Sequence, residues 1–177
     1  MNEEGNNNAD RSFWFAARTR HGQELKVRGI LMDRGMEYFI PTETGVRMVS
    51  GRKRKYEKPL IPCLVFLRST KSVACSLANS CGLPVWYIID KGTHTMLVVP
   101  DKQLEDFRRV VEDVPDAICP EGVTFAPGQK VQVTKGPFKG IEGDVLSDEG
   151  ATYVVLTLGG LLSAKVKVPK SYLMVLK

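Results

Sequence analysis

Residues 130 to 145 read Lys-Val-Gln-Val-Thr-Lys-Gly-Pro-Phe-Lys-Gly-Ile-Glu-Gly-Asp-Val. Val131 and Val133 alternate with polar residues as in a half-buried strand, and a second apolar alternation begins at Ile141. The intervening turn carries one large apolar side chain, Phe138. Three glycines offer positive φ or a close backbone approach: Gly136, Gly140 and Gly143. The stretch therefore predicts a β-hairpin with a specified turn.

The alternation continues to the end of the chain. A tight turn is expected at Gly159-Gly160. Because so small a sheet protects its edges best by curling up, we predict a small β-barrel. Its five strands are expected near 130–134, 141–147, 152–158, 163–168 and 172–176.

The preceding part of the chain alternates strands and helices in the order β, α, β, β, α, β, β, α. Helices are predicted over 21–34 and 70–81, and a third opens at Pro100-Asp101. This order predicts an α+β fold in which helices back a sheet, close to the split βαβ (ferredoxin-like) arrangement. The expected organisation is a disordered leader over 1–12, a first domain over 13–113, a linker over 114–122 and a barrel over 123–177.

Composition narrows the function classes. The formal charge of +5 over 177 residues favours polyanionic partners. The start of the chain is acidic and Asn-rich, unlike a secretory signal, and no apolar run is long enough to cross a bilayer. A cytoplasmic protein that does not contact a membrane is expected.

The chemistry-bearing residues give no catalytic or metal motif. The cysteines at 63, 75, 81 and 119 match no paired metal-binding spacing, so zinc is not expected, and Cys63 and Cys75 are predicted to be reduced, buried thiols. The histidines, His21 and His94, stand apart from any cysteine or carboxylate cluster in the sequence. A Cys63 nucleophile with His94 as its base would be a catalytic pairing, but Cys63 follows Pro62 in an apolar strand that disfavours the thiolate. No enzyme activity is expected.

A basic stretch is the first candidate site. We predict a hydrophilic loop over residues 50–58, after two strand pieces that bend at Thr44-Gly45. Repulsion among its like charges favours contact with a polyanion, with Tyr56 able to stack on an unpaired base. A solubilising hairpin tip is the alternative. The cations are Arg47, Arg52, Lys53, Arg54, Lys55 and Lys58.

An apolar set is the second candidate site. Because strand residues alternate between faces, part of the set could pack under helices while part forms a groove for a partner helix. Burial of the whole set in the core is the alternative. Its members are Trp14, Phe15, Ile61, Leu64 and Phe66.

Together these features resemble the NusG family of transcription factors. The hairpin spacing Lys135-Gly136-x-Phe138-x-Gly140-x-x-Gly143-x-Val145 is similar to the KOW motif. The rest of that family's pattern is similar to five further features: Trp14-Phe15, Pro41-Thr42-Glu43, the basic stretch, Pro62 and Phe125-x-Pro127-Gly128. The resemblance therefore spans about residues 13 to 177.

The resemblance implies an NGN domain followed by an SH3-like KOW barrel, in a monomeric elongation or antitermination factor. It implies that Trp14, Phe15, Ile61, Leu64 and Phe66 face the RNA polymerase clamp helices. It implies that Arg52, Lys53, Arg54 and Lys55 face upstream or non-template DNA. It further implies that Phe138, Lys139, Gly159 and Gly160 meet a ribosomal or regulatory protein partner.

Two departures from the family pattern imply a specialised, UpxY-like paralogue that serves long operons. Pro62-Cys63-Leu64 stands where Pro-Gly-Tyr is usual, and Leu158-Gly159-Gly160 stands where housekeeping members have Phe-Gly-Arg. A ribosome-associated KOW protein that binds RNA is the alternative, since basic charge and a KOW hairpin also suit that class.

Overall fold

The computed structural model describes residues 11–118, 128–148 and 150–176. Its contacts divide the chain into two compact units, residues 1–99 and 100–177. Most of the expected leader and residues 119–122 of the expected linker lie outside the described residues. The boundary placed after residue 113 stays a prediction, while the contacts group the helix that follows Pro100 with the second unit.

The first unit contains an antiparallel sheet in the order β2-β5-β1-β6, and β7 also pairs with β1. Two helices accompany the sheet. The elements are β1 (Phe13–Thr19), α1 (Glu24–Asp33), β2 (Tyr38–Phe39), β3 (Thr42–Val49), β4 (Arg52–Pro59), β5 (Leu64–Ser69), α2 (Lys71–Asn79), β6 (Val85–Tyr87) and β7 (Val98–Val99).

Local chemistry sets the helix ends of this unit. Gly35 follows α1 and has a φ of 64°. The Gly35 N–H donates to Met32 O, and the Met36 N–H donates to Leu31 O. These bonds form a Schellman motif, which terminates the helix as expected. Thr70 caps α2, since its hydroxyl accepts from the Val73 N–H at 3.3 Å.

The two helices cover one face of the sheet, and a buried apolar cluster lies between the helices and that face. Buried apolar residues of both helices pack with Ala17 of β1 and with Val65 and Leu67 of β5. On α2 the buried residues are Ala74 and Leu77, whereas Val73 is exposed. Cys75 is also exposed, so the prediction of a buried thiol there is wrong, because it lies on the outer face of the helix.

Strands β3 and β4 form a separate two-stranded antiparallel ribbon. The predicted loop over residues 50–58 is therefore wrong, as is the bend at Thr44-Gly45, because β3 runs through both residues. Only Ser50 and Gly51 turn the chain; their φ values of 50° and 75° match the type I′ turn that suits a right-twisted hairpin. Cross-strand pairing makes β4 a strand although its sequence lacks apolar alternation.

The second unit contains one helix and a five-stranded antiparallel sheet in the order β11-β10-β9-β8-β12. All five predicted strands are present, and the predicted α+β class is confirmed. The elements are α3 (Asp101–Asp113), β8 (Lys130–Val133), β9 (Glu142–Asp148), β10 (Ala151–Leu158), β11 (Leu162–Lys167) and β12 (Leu173–Val175).

Glycines shape the hairpin that joins β8 to β9. Gly136 and Gly140 have φ of 81° and 90°, as the predicted turn requires. Gly143 instead permits close strand packing, since a Cβ there would lie 2.5 Å from Val155 O. Among the described residues, no helix is both long enough and apolar enough to span a bilayer.

Candidate nucleic-acid interface

The ribbon formed by β3 and β4 presents two chemically different faces. The β3–β4 register pairs Arg47 with Arg54 and Met48 with Lys53, and side chains alternate between faces along each strand. We call one side the arginine face; its residues near the Ser50-Gly51 turn are Arg47, Val49, Arg52, Arg54 and Tyr56. We call the other the lysine face; its residues there are Val46, Met48, Lys53 and Lys55.

The arginine face holds a stacked pair. The Arg47 guanidinium carbon lies 5.3 Å from the centroid of the Tyr56 ring, within the range of a cation–π contact. Gly45 lies opposite Tyr56, and a Cβ at that glycine would come within 2.7 Å of the ring. The absence of a side chain at Gly45 therefore lets the tyrosine ring lie across the β3 backbone, half-buried and next to a cation.

The base of the ribbon is anchored by Glu57. Its Oε1 accepts hydrogen bonds from Arg28 Nη1 at 2.6 Å and from the Thr42 hydroxyl at 2.7 Å. The bond from Arg28, followed by that from Thr42, lowers the pKa of Glu57 below its usual value. The same contact with Glu57 raises the pKa of Arg28. This anchor links β4 to α1 at the end of the ribbon away from the Ser50-Gly51 turn.

The remaining carboxylate of the ribbon pairs close to the anchor, where Lys58 Nζ lies 2.8 Å from Glu43 Oε1. Within the described part of the chain, no carboxylate forms a salt bridge with the four cations nearest the turn. Those cations are exposed, so their mutual repulsion is relieved only by solvent and counterions, or by a bound polyanion. They are Arg52, Lys53, Arg54 and Lys55.

The predicted polymerase-facing set does not form one exposed surface. Trp14, Leu64 and Phe66 share the sheet face opposite the helices, whereas Phe15 points to the helix-covered face beside Tyr87. Ile61 lies in the connection before β5. All five predicted residues are buried, and the most exposed, Ile61, shows only 7% of its surface. Contact with a partner through them requires that they first become accessible.

The predicted partner-facing turns of the second unit both contact α3. Arg109 donates to Pro137 O at 3.1 Å and to Lys139 O at 3.3 Å, which flank Phe138. Lys102 donates to Gly140 O at 3.0 Å. In the other turn, the Gly159 N–H donates to Gln103 Oε1 at 3.2 Å, and its neighbour Gly160 is exposed. One helix therefore holds the main chain of both turns.

Sequence reasoning missed the polar residues that make these contacts. Lys102 also bonds Asp106, a buried carboxylate that accepts from the Glu142 N–H at 3.3 Å. The spacing 102, 106 and 109 follows the helical repeat, so a shared face could have been found. The sheet that this helix face contacts could not have been predicted, because the sequence of an amphipathic helix does not specify which element packs against it.

The fold is that of a two-unit α+β protein with an exposed cationic ribbon. A family model described as "Transcription termination factor nusG" matches residues 12–108, which is more than half of the 177-residue chain. The chain therefore belongs to the NusG family of transcription termination and antitermination proteins.

Curated relatives agree with this assignment. The transcription termination/antitermination protein NusG of Pseudomonas aeruginosa is 26% identical over 151 residues, covering 75% of this chain and 79% of the relative. The NusG of Xylella fastidiosa is 25% identical over 152 residues, covering 73% and 80%. A solved structure of Thermotoga maritima NusG is 20% identical and covers 94% of this chain and 98% of that chain, with a TM-score of 0.47.

Proposed function

We propose that this protein is an elongation and antitermination factor that binds RNA polymerase and reduces pausing or termination. In this proposal it acts as a cytoplasmic monomer. The NGN domain over residues 13–113 binds the polymerase clamp helices, the ribbon contacts upstream or non-template DNA, and the KOW domain over residues 123–177 recruits a ribosomal or regulatory protein. Membership of the NusG family supports the transcriptional role. The departures at Cys63-Leu64 and Gly159-Gly160 support a specialised paralogue for long operons.

The DNA-binding part of the proposal rests on the exposure and lack of neutralisation of the four cations near the turn of the ribbon. They are exposed, and among the described residues no carboxylate forms a salt bridge with them. Glu57 anchors the other end of the ribbon, away from the turn. A ribbon that projects unneutralised cations is suited to contact phosphates, since binding releases condensed counterions.

A polymerase-binding and pausing assay on a defined template tests the proposal. The full-length protein is expected to co-elute with core RNA polymerase and to shorten pauses. Replacing residues 52–55 with Gln should leave co-elution intact but weaken the contact with DNA in the elongation complex. The slope of log affinity against log salt should fall by about 3, since each lost phosphate contact removes about 0.7–0.9.

A charge-matched variant controls for the lost net charge. It replaces four exposed lysines outside the ribbon with Gln: Lys26, Lys71, Lys91 and Lys170. This variant should keep most of the affinity for DNA. Equal losses of DNA affinity in the two variants would show that the ribbon contributes only general electrostatic attraction. Co-purification with ribosomes in place of polymerase would favour the ribosome-associated alternative.

A further inference from the structure

Three side chains of metal-binding type meet in the first unit. His21 lies in the turn after β1, Glu24 is the first residue of α1, and Cys63 immediately precedes β5. One imidazole nitrogen, one carboxylate oxygen and the Cys63 Sγ all lie within 4.8 Å of one another. His21 is therefore not isolated as the sequence suggested; a fold contact between positions 39 residues apart brings Cys63 to Glu24.

Glu24 gives a second, independent observation that points to a bound cation. Only 1% of its surface is exposed. Its Oε1 accepts from the Cys63 N–H at 2.7 Å, but its Oε2 is buried and has no hydrogen-bond partner among the described residues. Buried carboxylate oxygens are almost always satisfied, because an unpaired one loses its hydration without compensation. A metal ion beside the imidazole and the thiol would supply the missing partner.

We propose that His21, Glu24 and Cys63 bind one Zn²⁺ ion. Nitrogen, oxygen and sulfur donors together match zinc and other late first-row ions, whereas magnesium and calcium require oxygen donors. A thiolate and a carboxylate would neutralise the charge of the ion, which suits a site whose carboxylate ligand is buried. Three protein ligands leave a fourth position for water or another donor.

The surroundings hold two of the three ligands in place. The Cys63 main chain is fixed on both sides, since its N–H donates to Glu24 and its carbonyl accepts from the Thr19 N–H at 3.0 Å. The bond from Cys63 to Glu24 Oε1 orients the carboxylate, as outer hydrogen bonds commonly do in metal sites. Donor atoms in tetrahedral zinc sites lie about 3.5 Å apart, so side-chain rotation must bring the three donors, now within 4.8 Å of one another, closer together.

The test uses the full-length protein, stripped of metal and kept in a non-thiol reductant. Titration with Co²⁺ should give the visible absorption of a tetrahedral ion and a thiolate-to-cobalt charge-transfer band, both saturating at one ion per chain. Zn²⁺ should displace Co²⁺ and raise the melting temperature of the protein. Saturation without the charge-transfer band would overturn the proposal, because it would exclude Cys63 as a ligand.

Variants assign the ligands. His21→Asn and Cys63→Ser should each weaken Co²⁺ binding by at least about tenfold. Exposed residues of the same types outside the cluster, in His94→Asn and Cys75→Ser, should leave the affinity unchanged. Because His21 is exposed, its variant is expected to fold, and its melting temperature should no longer respond to Zn²⁺. Wild-type affinity in His21→Asn, or an equal loss in the control variants, would overturn the proposed site.

Discussion

At the scale of single residues, substitution of two glycines by alanine should change the free energy of unfolding in opposite directions. A Cβ at Gly143 would lie 2.5 Å from Val155 O, so Gly143→Ala must push β9 and β10 apart. Gly29 lies inside α1, and a Cβ there meets nothing within 4 Å. We expect Gly143→Ala to destabilise the second unit by about 1–3 kcal/mol and Gly29→Ala to stabilise the first by about 0.5–1 kcal/mol.

Chemical denaturation checks this pair. Both tryptophans, Trp14 and Trp86, lie in the first unit, so their fluorescence follows Gly29→Ala. Amide hydrogen exchange of β9 and β10 follows Gly143→Ala. An unchanged exchange rate in Gly143→Ala would contradict the tight strand packing described above.

Glu57 should give the first unit a small acid sensitivity. Its pKa is lowered in the folded protein by hydrogen bonds from Arg28 and Thr42. A carboxylate whose folded pKa is depressed stabilises the fold above its unfolded pKa of about 4.3, and this contribution is lost as pH falls through the folded value. Since the Glu57 side chain is 39% exposed, we expect a contribution below about 1 kcal/mol.

Urea denaturation at a series of pH values between neutral and about 3 measures that contribution. Glu57→Gln should flatten the pH dependence of the free energy of unfolding, and Arg28→Gln should flatten it as well because it removes the largest cause of the shift. A wild-type pH profile in Glu57→Gln would show that other carboxylates account for the acid sensitivity.

At the scale of elements, the two faces of the ribbon should bind nucleic acid differently. Arg52→Gln with Arg54→Gln, and Lys53→Gln with Lys55→Gln, each remove two positive charges from opposite faces. Only the arginine face carries an aromatic ring. We expect the arginine pair to lose more affinity for single-stranded DNA, because guanidinium groups bind phosphate with two hydrogen bonds and these two lie on the face where Tyr56 can stack on a base.

Tyr56→Leu separates stacking from charge. It should cost about 1–3 kcal/mol in binding a single-stranded oligonucleotide if one base stacks on the ring, while the salt dependence stays unchanged. Fluorescence anisotropy with matched single-stranded and duplex oligonucleotides measures both quantities. Equal losses on the two DNA forms would argue against stacking on an unpaired base.

Most elements could be predicted from the sequence, and the failures have physical causes. Helix α2, which Thr70 caps, and the hairpin around Gly136 and Gly140 follow from local chemistry, so their prediction succeeded. Strand β4 is exposed on both faces, so it lacks the apolar alternation that marks a strand with one buried side. The contact of His21 and Glu24 with Cys63 is created by the tertiary fold, and no spacing rule within a single segment could reveal it.

At the scale of the whole molecule, binding of RNA polymerase through the predicted apolar set requires a change around Trp14. Its side chain is 4% exposed, whereas Trp86 is 54% exposed. With both labelled as 5-fluorotryptophan, we expect an isolated clamp-helix coiled coil to shift the Trp14 fluorine resonance in a saturable way. The resonances are assigned with Trp86→Phe. This reporter keeps the core intact, whereas Ile61→Asp would bury a charge and destabilise the fold itself.

The fluorine spectrum distinguishes the proposed surface from other modes of binding. A shift of the Trp14 resonance, with its signal becoming sensitive to a soluble paramagnetic quencher, would show that the face bearing Leu64 and Phe66 is uncovered during binding. A shift confined to Trp86 would place the contact elsewhere on the first unit. Saturable binding that leaves the Trp14 resonance unchanged would contradict the apolar surface, because a buried side chain can engage a partner only if its surroundings change.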